Sequence, residues 1–169
     1  MKLCVCVPTY DRWEADFGAS LAVLMANLAG ASPVVKALHL VRSEGSIASD
    51  GRNDLIKDAI RREATHILWC DTDMKFSPAN VNKLIERDLD FVACDYKRRV
   101  PPHASIALDL PGDPIEPGMG LVEALQVGLG LTLIRTSIIE KMTYPWSGFF
   151  THADGTLDDS VWLCRNARK

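Results

Sequence analysis

Between Met1 and Cys94, short apolar runs alternate with longer amphipathic stretches, and this alternation restricts the fold more than any other property of the chain. Leu3-Cys4-Val5-Cys6-Val7 reads as a first strand, broken at Pro8-Thr9-Tyr10-Asp11. From Asp16 to Ala29, Phe17, Leu21, Leu24, Met25 and Leu28 recur at helical spacing, and Gly30 is a stop signal. Val34 to Val41 reads as a second strand. The helix after Asn53 would bury Leu55, Ile56, Ala59 and Ile60 and expose Lys57, Asp58, Arg61 and Arg62. His66-Ile67-Leu68-Trp69-Cys70 is a third strand. Ser77-Pro78 opens the next helix with an N-cap hydroxyl and a first-turn proline, continuing through Val81, Leu84 and Ile85. Phe91-Val92-Ala93-Cys94 is a further strand. Strands alternating with helices imply a mostly parallel sheet with right-handed crossovers. A length of 169 residues fits one α/β domain spanning 1–169.

The pattern changes after residue 96. Lys97 to Pro117 holds five of the nine prolines, with basic residues at its start and little periodicity. It reads as a long surface excursion with a short strand at Ser105 to Leu108, and loops of that length are often functional. Gly120 to Gln126 and Gly130 to Arg135 read as two more strands joined by a Gly128/Gly130 bend. Ser137-x-x-Glu140 has the form of a capping box, Tyr144 to Gly155 is irregular, and a last helix begins at about Asp158. The chain thus divides into halves at 1–96 and 97–169.

Bulk properties exclude several classes. A net charge of -3 argues against a general nucleic-acid binder, whose footprint is basic. No apolar stretch approaches the ~20 residues of a membrane helix, and the N-terminus lacks a signal-peptide layout, so a cytoplasmic protein is expected. The five cysteines, at 4, 6, 70, 94 and 164, include no C-x-x-C pair, and four lie in or beside apolar runs. They read as small buried hydrophobes in a reducing compartment, not as zinc ligands.

The chemistry concentrates at Asp71-Thr72-Asp73, directly after the third strand. In open α/β sheets ligands bind beyond the carboxyl ends of the strands, which is where these carboxylates belong. Two anions one residue apart repel unless a cation holds them, and hard oxygen ligands suit Mg²⁺ or Mn²⁺. Such a cation can neutralise a diphosphate leaving group. A bare D-x-D also serves as an ordinary turn, with one Asp capping and the other solvated.

Further segments come in a telling order: the Pro8–Asp11 turn, Gly45 to Asp54 opening a helix, Gly128 to Arg135 before a short helix, and Asp158-Asp159-Ser160-Val161-Trp162-Leu163-Cys164-Arg165. With the strand-borne D-x-D, this order resembles the GT-A glycosyltransferases, especially small family-2-like bacterial or phage-type members. The resemblance covers nearly the whole chain. It implies a Rossmann-like GT-A domain with helices on both faces of the sheet. Residues 1–96 would form the nucleotide-sugar-binding half and 97–169 a less regular acceptor and catalytic half.

It also implies roles. Pro8, Thr9, Tyr10 and Asp11 would cradle the nucleotide, and Glu44, at the end of the second strand, would face the base, although a solvated loop glutamate explains Glu44 equally well. Arg52 and Asn53 would lie beside the sugar nucleotide. An Arg at a helix start is disfavoured by the macrodipole, which suits an arriving anion, while a surface pair with Asp50 or Asp54 is the plainer alternative. Asp71 and Asp73 would hold Mn²⁺ or Mg²⁺ against the diphosphate, with Thr72 between them. Asp159 would be the general base, with Asp158 in the place where the family has Glu; acids at a helix start are also favoured by the dipole alone. Some members complete the metal site with a histidine beyond the acidic pair. None follows here, so that ligand is absent or His152 substitutes. Lys97-Arg98-Arg99 would face a diphosphate or be solvated. Trp69 and Trp162 are expected in the core, and Trp146 is a candidate for stacking on a sugar.

The expected activity is therefore metal-dependent, inverting transfer from a nucleotide-diphospho-sugar, UDP- or GDP-linked, to a saccharide, lipid-linked or protein acceptor. Two rivals remain at this level. One is a sugar-nucleotide-binding or interaction module without transfer. The other is a Toprim-like phosphoryl-transfer domain using Glu44 with Asp71 and Asp73.

Overall fold

In the computed structural model, which describes residues 1–44, 48–99, 101–116, 118–151, 153, 155 and 157–168, strand and helix alternate through the first ninety residues. They are β1 (Lys2–Thr9), α1 (Ala15–Ala31), β2 (Ala37–Glu44), α2 (Ala48–Arg61), β3 (His66–Cys70), α3 (Pro78–Arg87) and β4 (Phe91–Ala93). The second half adds β5 (Leu131–Arg135), α4 (Thr136–Lys141), the short hairpin β6 (Phe150–Thr151) and β7 (Leu157–Asp158), and α5 (Asp159–Ala167). The sheet order is β2-β1-β3-β5-β4. β1 runs parallel to both β2 and β3, and β5 is antiparallel to β3 and β4. The sheet is thus mostly parallel, with one reversed strand between β3 and β4.

The strand alternation sorts side chains into two apolar layers, one on each face. Leu3, Val5 and Val7 of β1 and Leu68 and Cys70 of β3 join Phe17, Leu21 and Leu24 of α1 and Val81 and Leu84 of α3. Cys4, Cys6, Ile67 and Trp69 point the other way, to Leu55, Ile56 and Ala59 of α2, Ile139 of α4 and Leu163 of α5. All five β3 residues are buried, which explains why that strand is continuously apolar. Each such aliphatic side chain contributes about 1.5–3 kcal/mol on burial.

Several expectations are corrected. β2 spans Ala37–Glu44, not Val34 to Val41, and α1 continues past Gly30. Gly120 to Gln126 forms no strand; Gln126 makes one isolated bridge to Leu108. Ser105 and Leu108 likewise make isolated bridges, to Lys97 and to Pro114 and Gln126. The Ser137-x-x-Glu140 capping box is not built: α4 starts one residue earlier, its cap is Arg135 without a side-chain bond, and Thr136 Oγ1 instead donates to the Ala64 carbonyl at 2.8 Å. α2 begins at Ala48, so Arg52 and Asn53 lie in its second turn and not at its start. Trp69 is fully buried, but Trp162 is only half-buried; its ring lies over Gly148, where an added Cβ would fall 2.9 Å from it.

Candidate active site at the carboxyl edge of the sheet

The parallel register brings Thr9 opposite Glu44, and Cys6 opposite Trp69 two residues before Asp71. The ends of β1, β2 and β3 therefore share one edge. Beyond β3 the backbone turns, with the Met74 N–H donating to the Asp71 carbonyl at 3.1 Å. This turn is tied on both sides. Glu14 N–H donates to the Thr72 carbonyl at 3.1 Å, and Asp71 N–H to the Gly130 carbonyl, at the head of β5, at 3.0 Å.

Residues 67, 69 and 71 face the same side because side chains alternate along a strand. Asp71 thus points to the α2 and α5 face, where Arg52 waits. Arg52 is 5% exposed. Its Nη2 lies 2.9 Å from Asp71 Oδ1 and its Nε 2.8 Å from Asp159 Oδ2. The guanidinium carbon sits 5.2 Å from the centroid of the Trp69 ring, a cation–π distance. Burial disfavours the Arg52 charge, but Asp71 and Asp159 outweigh it and raise its pKa above the ordinary arginine value. Arg52 Nη1 is buried without a hydrogen-bond partner among the described residues. Both carboxylates keep some solvent access, with Asp71 28% and Asp159 20% exposed at the side chain. The alternative surface pairing of Arg52 with Asp50 or Asp54 is not found among the described residues; Asp54 pairs with Lys57 instead.

Asp73 is held by a second arginine. Arg99 Nη2 lies 2.9 Å from Asp73 Oδ2 and 3.2 Å from the Asp73 carbonyl. Each D-x-D carboxylate therefore gives one oxygen to a guanidinium and keeps the other uncommitted among the described residues. Among those residues no three His, Cys, Asp or Glu side chains converge as a metal cage. The donor set fits Mg²⁺ or Mn²⁺ of the kind bound by one or two carboxylates and completed by phosphate oxygens and water. His152 lies outside the described residues.

Both ends of the Asn53 side-chain amide are engaged by the Ser147 backbone. Its Nδ2 donates to the Ser147 carbonyl at 2.7 Å and its Oδ1 accepts from the Ser147 N–H at 3.0 Å. This pair of hydrogen bonds to the backbone of one residue anchors the 144–149 loop on α2. Trp162 Nε1 in α5 donates to the Pro145 carbonyl at 3.2 Å, so the same loop also touches α5. Asp158 is the N-cap of α5, accepting at Oδ1 from the N–H groups of Ser160 and Val161 at 2.9 and 3.2 Å. Its Oδ2 accepts from Gln126 Nε2 at 3.2 Å. The two neighbouring acids thus divide: Asp158 caps the helix and Asp159 reaches Arg52.

At the end of β1, Thr9 is buried, and its Oγ1 accepts from Trp13 Nε1 at 3.1 Å. Pro8 is half-buried, Asp11 exposed, and Tyr10 presents 70% of its surface to solvent. Glu44 is exposed and pairs with Arg42. Trp146 packs against the α2 core, leaving Tyr144 as the outer aromatic, 58% exposed and edge-on to Trp146 at 5.3 Å.

Two partners were not legible in the sequence. Tyr96 Oη accepts from the Gly130 N–H at 2.9 Å, and its pKa is pushed up to about 12, mainly by burial. The signal was Gly128 and Gly130: a Cβ at these positions would come within 2.2 and 2.8 Å of Tyr96 Oη. Trp69 under Arg52 was foreshadowed only by its position two residues before Asp71. A cavity of about 640 Å³ lies on the other side of α5, lined by Phe91, Ala107, Leu121, Gln126, Cys164 and Arg168 among others, and includes none of Asp71, Asp73 and Asp159.

No protein-family model and no curated protein matches the sequence. Solved structures do. The crystal structure of A197 from STIV superposes with a TM-score of 0.68 at 14% identity, covering 99% of this chain and 78% of that one. Weaker likenesses are to a 4-diphosphocytidyl-2C-methyl-D-erythritol synthase (TM-score 0.43, 11% identity, 83% and 78% covered) and to a glycosyltransferase involved in glycosylation of the major capsid of PBCV-1 (0.45, 14%, 86% and 70%). At such identities a superposition speaks for the fold alone, and the chain has a single α/β domain of the GT-A type.

Proposed function

We propose that the protein is a glycosyltransferase that moves a sugar from a nucleotide-diphospho-sugar, UDP- or GDP-linked, to an acceptor hydroxyl. The observation that carries this reading is the convergence of Asp71 and Asp159 on one buried guanidinium at the carboxyl edge of the parallel strands. An acid from the D-x-D turn and an acid from the start of α5 are set side by side, as donor-side and acceptor-side chemistry requires.

In this reading Pro8, Thr9, Tyr10 and Asp11 form the nucleotide wall. Exposed Tyr10 offers an aromatic face to a base. Asp71 and Asp73 would hold Mg²⁺ or Mn²⁺, which when bound supplies positive charge to the diphosphate. Asp159 Oδ1, the oxygen not engaged by Arg52, accepts the proton of the acceptor hydroxyl. The acceptor's oxygen bonds to the anomeric carbon as the bond to the diphosphate breaks, and the electron pair leaves with the diphosphate. A single displacement of this kind inverts the anomeric centre. Asp158 is spent on capping α5, which supports Asp159 as the base. Glu44 pairs with Arg42 on the outermost strand, so the Toprim-like reading has no carboxylate joined to Asp71 from that side.

All five cysteines are free thiols, which suits a cytoplasmic setting. Among the described residues no helix is long and apolar enough to cross a membrane.

The test is nucleoside-diphosphate binding with and without Mn²⁺, followed by thermal shift with UDP, GDP and CDP. Mn²⁺ is expected to tighten binding in the wild type and to have no effect in Asp71→Ala/Asp73→Ala. Unchanged metal dependence in the double mutant refutes the metal assignment. Nucleotide binding with neither transfer to a broad acceptor panel nor donor hydrolysis selects the binding-module reading.

A further inference from the structure

Arg52 is built into the site more firmly than a ligand-binding arginine needs to be. It is 5% exposed, lies over Trp69, and splits one edge of its guanidinium between two carboxylates from distant parts of the chain. Arginine is the side chain suited to this, because its planar fork is rigid and always charged. A lysine ammonium, a single point, could not hold Asp71 and Asp159 in fixed relation from the same position. The neighbouring Asn53 locks the second turn of α2 to Ser147, so the Arg52 backbone has little freedom to withdraw.

The charges explain what this achieves. Asp71, Asp73 and Asp159 carry three negative charges, and Arg52 and Arg99 return two positive ones. The cluster is nearly neutral with no cation or diphosphate present. A divalent cation arriving alone meets an Asp71 that is already compensated and a guanidinium 2.9 Å from its Oδ1. A cation arriving with a diphosphate brings anionic oxygens that can take over the Arg52 guanidinium and free Asp71 for the ion.

We propose that Arg52 is a positioning residue that takes the place of metal charge while the donor is absent. It holds Asp71 and Asp159 together and competes with a free divalent cation for Asp71, so that the metal loads with the nucleotide and not before it. The proposal rests on the assignment of Asp71 to the metal.

It predicts a gain where a purely structural salt bridge predicts a loss. Mn²⁺ is titrated into the full chain without nucleotide, and free Mn²⁺ is followed by electron paramagnetic resonance, for wild type, Arg52→Met, Arg52→Lys, Asp71→Asn and Arg52→Met/Asp71→Asn. Removing a unit positive charge a few ångströms from the ion is expected to tighten Mn²⁺ binding at least ~10-fold in Arg52→Met. Arg52→Lys should fall between this variant and wild type, and the gain should vanish in the double mutant. Binding by Arg52→Met that is unchanged or weaker overturns the proposal. If Arg52→Met does not fold in metal-free buffer, the melting of Arg52→Lys decides: a larger Mn²⁺-induced stabilisation than in wild type supports it, and an equal or smaller one overturns it. Repeating the titration with UDP and GDP separates the two levels of the argument. Asp71-dependent Mn²⁺ binding that is indifferent to Arg52 removes only this proposal. The absence of any Asp71-dependent binding removes the metal site itself and the proposal with it.

Discussion

Residues 1–96 and 97–169 build structure in opposite ways. In the first part, each strand and its following helix are read from local periodicity, and the register of β1 against β2 and β3 is continuous over the strands. In the second, the described residues between Cys94 and Gly130 form isolated bridges and turns in place of strands. Single side-chain bonds such as Tyr96 to Gly130 and Gln126 to Asp158 tie them to the rest of the fold. The site lies where the two meet, since Asp71 and Arg52 come from the first part and Asp159 and Arg99 from the second. A scaffold can therefore be periodic while its site is assembled by a handful of unrepeated contacts.

The largest effect should come from the acid that the second part contributes. Asp159→Asn keeps size and removes charge, and transfer is expected to fall ~100-fold or more with donor affinity near normal. Transfer at the wild-type rate in this variant would mean that Asp159 is not the base, with Asp158 the next candidate.

Next is the joint between the parts. Asn53→Ala strips two hydrogen bonds from the backbone of buried Ser147 and leaves its N–H and carbonyl unpaired, which should cost about 2 kcal/mol or more in denaturant unfolding. If the cost is near zero, the 144–149 loop is held by something other than α2.

Gly128→Ala probes the contact with Tyr96. Its Cβ would meet Tyr96 Oη at 2.2 Å and Ile106 Cγ2 at 2.9 Å, so a destabilisation of about 1–2 kcal/mol is expected from overpacking. Pairing it with Tyr96→Phe, which removes the nearest atom, should recover part of the loss. Additive effects would show that the two do not touch.

The smallest effect comes from a residue of the first part. Burial, aided by the charge of Arg135, lowers the pKa of His66 below the ordinary histidine value. The unfolded chain then binds more protons than the folded one as pH falls through the ordinary histidine range of about 6–7, so His66 costs stability on acidification and stability rises with pH there. His66→Gln should flatten the slope of melting temperature against pH in that range, and an unaltered slope would assign it elsewhere.

How much was legible follows from these contrasts. The three parallel strands, the D-x-D at a strand end and the acid at the start of α5 were readable because period-2 and period-3.6 patterns and helix starts are local signals. The expected strand at Gly120 to Gln126 failed because apolar residues there line a cavity with α5 and the β4 edge. The clamp of Asn53 on the Ser147 backbone was not legible, since it joins residues far apart in the chain and satisfies a buried donor and acceptor that no local pattern announces.

The sequence by itself determined the alternating strands and helices, the carboxyl edge on which Asp71 and Asp73 fall, and the side of β3 that Asp71 shares with Trp69, because backbone geometry fixes which face each residue of a strand takes. Only the tertiary structure decided that Arg52 binds Asp71 and Asp159 together, that Arg99 takes Asp73, and that Asp158 caps while Asp159 reaches inward. Those pairings depend on where charged groups end once the chain has packed. A buried guanidinium settles on whichever carboxylates the fold brings within about 3 Å of it, and no local pattern encodes that distance.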